Sequence, residues 1–140
     1  MDPETARIEH LKLIQAIIER MARNSFAVRA IASTIVAGLV AVTFGADVPV
    51  VAAFGAGPVA LLWAIDGYYL SAERQFRLRY DHARIGVPPA PGSESYFAMG
   101  VKVAGGGWRG VFGAMFSRPG ILFYVSLFLV LAVVATVAAV

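Results

Sequence analysis

Few residues in this sequence could do chemistry, and two of them stand out by position. Arg29 and Asp66 are ionisable groups inside otherwise uncharged apolar runs. Such a placement costs about 2.5–3.5 kcal/mol at the centre of a bilayer on insertion scales, which makes these groups functional candidates by default. Folding the chain back at a turn near Asp47 brings them to similar depth, because each lies a similar number of helical residues from that turn. They can therefore pair. One reading is an ion pair that locks a helical hairpin; the other is the polar lining of an ion or proton path. A path needs more polar groups at depth, and Ser33, Thr34 and Thr43 can each bond their own helix. Both charges also lie near one end of their runs, where an arginine snorkels to headgroups and Asp66 adjoins the aromatic belt of Tyr68 and Tyr69.

Other chemistry finds little support. The absence of cysteine excludes disulfides, thiolate metal sites and thiol nucleophiles. His10 and His82 stand in charged helical stretches, and Glu73 and Asp81 have arginine neighbours suited to pairing on a helix surface. No metal-ligand spacing or nucleophile–base set can be assembled from them. The run Gly105-Gly106-Gly107-Trp108-Arg109-Gly110 lacks the lysine and hydroxyl residue of a phosphate loop. The sequence thus predicts a protein with no enzymatic activity, no cofactor and no metal.

The elements that must position Arg29 and Asp66 follow from composition. With 59% hydrophobic and 15% charged residues in 140, the chain is far more apolar than a soluble domain, where about 25% are charged. It predicts an all-α membrane protein. Residues 1–24 read as an amphipathic helix, with Leu11, Ile14, Ile18 and Met21 opposite Glu9, Lys12 and Arg23; its apolar face lies on the membrane interface or against another helix. Asn24-Ser25 punctuates the pattern. Residues 25–85 read as a transmembrane hairpin, with its turn at Gly45–Pro49 and its second helix, kinked at Pro58, continuing into water through Glu73, Arg74, Arg77 and Asp81. Residues 86–118 read as a proline- and glycine-rich loop, a weakly alternating stretch over Ser95–Val103, and an interfacial helix at Trp108–Phe116. Residues 119–140 form a third span that starts at a proline suited to a first helical turn.

Small residues recur every four positions, at Ser33, Ala37, Ala41 and Gly45 on the first span and at Ala52, Ala56, Ala60 and Ala64 on the second. Such rows let helix backbones approach closely and favour packing within the hairpin slightly over packing between chains; self-association is expected because three spans with little internal polarity gain contacts from it. Basic residues flank the spans, at Arg20, Arg23 and Arg29, at Arg74, Arg77, Arg79 and Arg84, and at Lys102, Arg109 and Arg118. They do not form a nucleic-acid surface with stacking aromatics. The hairpin turn carries none. By the positive-inside rule the N-terminus and the middle segment are cytoplasmic and the C-terminus lies outside. The start of the chain is acidic and is not built like a secretory signal peptide.

Two segments carry a resemblance. I-Q-A-I-I-E-R-M-A-R-N-S-F, from Ile14 to Phe26, and W-A-I-D-G-Y-Y-L-S-A-E-R-Q-F-R-L-R-Y-D, from Trp63 to Asp81, resemble a pattern of small uncharacterised bacterial multi-span membrane proteins. The positions that carry it are Arg20, Met21, Asn24, Ser25 and Phe26, then Trp63, Asp66, Tyr68, Tyr69, Leu70, Glu73, Arg74, Phe76, Arg77, Tyr80 and Asp81. Arg29 and Ala30 stand where the group often has a lysine and a bulky aromatic, and the final third matches only loosely. The resemblance implies a bacterial inner membrane and a link to antiviral-defence or nucleotide-signalling cassettes. On that basis the expected function is a self-associating effector or accessory subunit acting on the bilayer. A homo-oligomeric channel or transporter, and a structural subunit docking a cytoplasmic partner through Glu73, Arg74, Arg77 and Asp81, are the alternatives.

Overall fold

A computed structural model describes residues 3–46, 48, 50–85 and 107–139. The chain is helical, in the order α1 (Pro3–Gly45), α2 (Val50–Phe54), α3 (Ala56–Ile85), α4 (Trp108–Met115) and α5 (Arg118–Ala138). No strand occurs among the described residues. The alternating stretch at 95–103, the proline-rich loop and Lys102 lie outside them. Three helical stretches are long and apolar enough to cross a membrane: α1, α2 running into α3, and α5.

The break expected at Asn24-Ser25 does not occur, since α1 is one helix of 43 residues. Ser25 is buried and its hydroxyl engages Asp66 across the hairpin, so it does not turn back on its own backbone to cap a helix. The inward positions explain why one helix serves the whole length. Steps of four, four and three residues run from Ala6 through Ile14, Ser25, Val28, Ala32 and Val36 to Thr43, all buried. An eleven-residue repeat has about 3.67 residues per turn, so the seam stays on one side of a nearly straight helix.

The second helical arm breaks at Gly55, not at Pro58. Pro58 falls in the first turn of α3, where a missing amide costs no helical hydrogen bond. At Gly55 the backbone comes close to α1: a Cβ there would strike the Leu39 side chain and lie 3.3 Å from the Ala52 carbonyl oxygen. The turn before it is closed by bonds from the Ala46 amide to the Val42 carbonyl (2.9 Å) and from the Val48 amide to the Thr43 carbonyl (3.3 Å).

Ala32, Val36, Val59, Tyr124 and Leu131 form the core where the three spans meet. Trp63 organises its edge, stacked on Tyr124 with ring centroids 5.8 Å apart and edge-on to Phe116 at 5.5 Å. The Trp63 indole donates to the Met115 carbonyl at 3.1 Å, which fixes the α4–α5 corner on α3. Gly67 lies beneath that corner, where a Cβ would strike the Met115 side chain. At Gly120 a Cβ would lie 3.0 Å from the Met115 carbonyl oxygen, so glycine suits the short turn that joins α4 to α5.

At about 1.5 Å per residue α1 is about 65 Å long, twice the roughly 30 Å hydrocarbon thickness. Its first half and the end of α3 therefore project from the spans as a two-helix stalk. Ile14 and Phe76 are buried there. Gln15 Nε2 donates to the Tyr80 hydroxyl at 3.1 Å, and Arg7 donates to the Arg84 carbonyl at 2.6 Å.

Candidate functional site

Helix geometry sets the level of the intramembrane charges. Arg29 is about 24 Å along α1 from Gly45, and Asp66 is the same distance from Val50 along the second arm. Phe123 is about 22 Å from the end of α5. These three residues lie at one depth, near the end of the spans from which the stalk emerges. The next turns outward carry Tyr68 and Tyr69 on α3 and Arg118 on α5, the residues expected where hydrocarbon gives way to headgroups.

The Asp66 carboxylate is buried and both of its oxygens are engaged. Oδ1 accepts from the Ser25 hydroxyl, and Oδ2 accepts from Arg29 Nε at 3.0 Å. The Asp66 side chain is 1% exposed and that of Arg29 is 24% exposed. The acid is thus the desolvated partner, and the guanidinium keeps an edge open to the interface, where it snorkels. The Arg29 guanidinium carbon lies 5.9 Å from the centroid of the Phe123 ring, within range of a cation–π attraction. One cluster therefore links α1, α3 and α5. A charge-assisted pair in a low dielectric is costly to break, because either partner left alone is an uncompensated charge.

The remaining predicted positions separate into two groups. Glu73 pairs with Arg77, Oε1 to Nη2 at 2.7 Å, on the stalk. Arg74 turns the other way, its Nη1 reaching the Gly113 carbonyl of α4 at 3.4 Å. Asp81 lines a groove of about 450 Å³ with Gln15, Ile18, Glu19, Arg77 and Tyr80. Glu73, Arg77 and Asp81 thus share the stalk, linked through Arg77, and Arg74 alone turns to α4.

The small-residue rows do not seal the hairpin as expected: Ser33, Ala37, Ala41, Gly45, Ala56 and Ala60 are exposed, and of the rows Ala52 alone is buried, with Ala64 half-buried. A step of four residues advances 400° around a helix, so a row at that spacing drifts away from a seam that takes a three-residue step in every eleven. Larger residues, Val36, Leu39, Val40, Val59 and Leu62, hold the hairpin together. The hydroxyls bond as expected within their helix: Ser33 to the Arg29 carbonyl (3.1 Å), Thr34 to Ala30 (2.9 Å) and Thr43 to Leu39 (2.7 Å).

Ser25 is the residue that sequence reasoning missed. Its position on the four-four-three seam, in register with Ile14, Val28 and Ala32, is the signal that identifies it as inward-facing. Tyr124 and Phe123 were also missed, because α5 has no polar face to show which side turns inward. Among the described residues no three His, Asp or Glu side chains group closely enough to hold a metal ion.

Three apolar helices and a buried ion pair at their common border define a polytopic helical membrane protein. In comparisons with known proteins, no family model, no curated protein and no solved structure matches this chain.

Proposed function

We propose that this chain is a non-enzymatic subunit of a bacterial inner membrane that acts by self-association, with its stalk in the cytoplasm. The observation that carries the reading is the outward face of α1. Ala30, Ser33, Thr34, Ala37, Gly38 and Ala41 are all exposed, and a Cβ on Gly38 would meet nothing within 4 Å. A lone chain has no use for a flat, small-residue face toward lipid, whereas a second helix gains close van der Waals packing there. Less than a third of each apolar span window is buried within the chain, which leaves room for such contacts. The mass of the protein in nanodiscs tests this directly. A defined homo-oligomer that falls apart on Gly38→Leu or Ala41→Leu supports the reading, and a strict monomer in nanodiscs and in several detergents overturns it.

A specific observation favours a second reading, in which the stalk docks a cytoplasmic protein. Ile8, Leu13 and Ile85 are 49%, 46% and 80% exposed on helices that project beyond the spans, where water and not lipid would cover them. Co-purification from native membranes separates the two: a stoichiometric partner lost on Leu13→Ser together with Ile85→Ser supports docking.

A further inference from the structure

We propose that the groove between α3 and α4 binds one anionic phospholipid from the stalk-side leaflet; this rests on the three apolar helices spanning a bilayer and not on self-association. The groove has a volume of about 540 Å³, within the range of ligand sites, and nothing else among the described residues covers it. Its order along α3 matches the order of a lipid. Leu61, Ala64 and Ile65 line the deep part along α3, level with the Trp63 and Tyr124 stack, and Tyr68 and Tyr69 the part farther out, while Gly107, Trp108 and Val111 line the other wall. The groove follows about 12 Å of α3 and crosses the level of Asp66, where hydrocarbon gives way to headgroups. An acyl chain fits the aliphatic end, and amphipathic rings suit the glycerol and ester region.

The sign of the headgroup follows from charge. Residues 107–139 contain no acid, and their charged groups are Arg109 and Arg118. Arg109 is exposed and follows the lining residue Trp108 on α4. No acid lines the groove, and Arg109 is the charged residue next to its lining on α4, so a lipid phosphate bearing a net negative charge complements it. A zwitterionic lipid gains less.

The test uses the full chain in nanodiscs of mixed phosphatidylcholine and phosphatidylglycerol, released into the mass spectrometer. The expected result is one phosphatidylglycerol retained per chain, in excess over the bulk ratio. Ala64→Trp, which fills the aliphatic end, abolishes retention, and Arg109→Gln removes the preference for the anionic lipid while retention persists. A photo-crosslinker in place of Tyr68 reports on the folded wild-type background and labels phospholipid. Retention at the bulk ratio, retention indifferent to Ala64→Trp, or a crosslink to the chain's own residues 86–106 would each overturn the proposal.

Discussion

The Arg29 guanidinium carbon lies 5.9 Å from the centre of the Phe123 ring while its Nε is bonded to Asp66, so one side chain touches all three spans. Removing Asp66 alone leaves an unpartnered cation at that junction. Breaking a fully buried pair costs about 3–5 kcal/mol, and because Arg29 keeps some contact with the interface, Asp66→Asn should cost about 2–3 kcal/mol. The double variant Arg29→Gln, Asp66→Asn should lose less than the single one, since no lone charge remains. Reversible unfolding in detergent micelles measures this, and a double variant worse than either single one would refute the pairing argument.

The two glycines Gly67 and Gly38 make opposite predictions. At Gly38 an alanine meets nothing within its own chain, so in the dissociated monomer it should stabilise the helix by about 0.5–1 kcal/mol through propensity alone. At Gly67 a Cβ would strike Met115, so Gly67→Val should cost about 1–3 kcal/mol by overpacking. Met115→Ala in the same chain should recover part of that loss. Thermal unfolding of Gly67→Val, Met115→Ala and the double variant reads the coupling.

The Trp63 indole holds the α4–α5 corner through the Met115 carbonyl. Trp63→Phe keeps an aromatic ring against Tyr124 but leaves that carbonyl without its donor, a loss of about 1 kcal/mol. Faster hydrogen exchange confined to the segment around Met115 is the expected signature. Uniform destabilisation would point instead to lost stacking.

The position of His10 in the stalk gives it a pH dependence. Burial, and secondarily the Arg79 guanidinium, hold its imidazole below the usual value of 6.5. The unfolded chain therefore takes up a proton more readily than the folded stalk. Stability is complete above pH 6.5 and declines as the pH falls through that value toward the lowered one. Proteolysis of the stalk in nanodiscs should accelerate between about pH 7.5 and about pH 5.5, and His10→Gln should flatten the slope. Equal slopes in the two proteins would count against the assignment.

Much of this arrangement was legible in the sequence. The Arg29–Asp66 pair follows from two charges in apolar runs and the arithmetic of a hairpin, and the extension of α3 to Ile85 follows from its i,i+4 charges. The rest depends on which face of a helix turns inward. For α1 that information was present in the four-four-three spacing, but Asn24-Ser25 looked like a boundary because the partner of Ser25 lies 41 residues away. For α5 it was absent, because a run without polar residues has no visible inner side. The small-residue rows differ from the expectation of hairpin packing for a related reason: their composition suits a helix contact, but their spacing does not follow the hairpin seam.

The continuity of α1 through Ser25 has a mechanical consequence. About 33 Å of helix extends beyond the span with no joint in it. Spans adapt to bilayer thickness by tilting, and a rigid rod carries that tilt to its far end. A change of about ten degrees moves the tip near Glu4 sideways by roughly 6 Å, as a lever of that length requires. Thinning or thickening of a bilayer would thereby be converted into lateral travel at the tip of the stalk, and spin labels there would read the bilayer as a gauge.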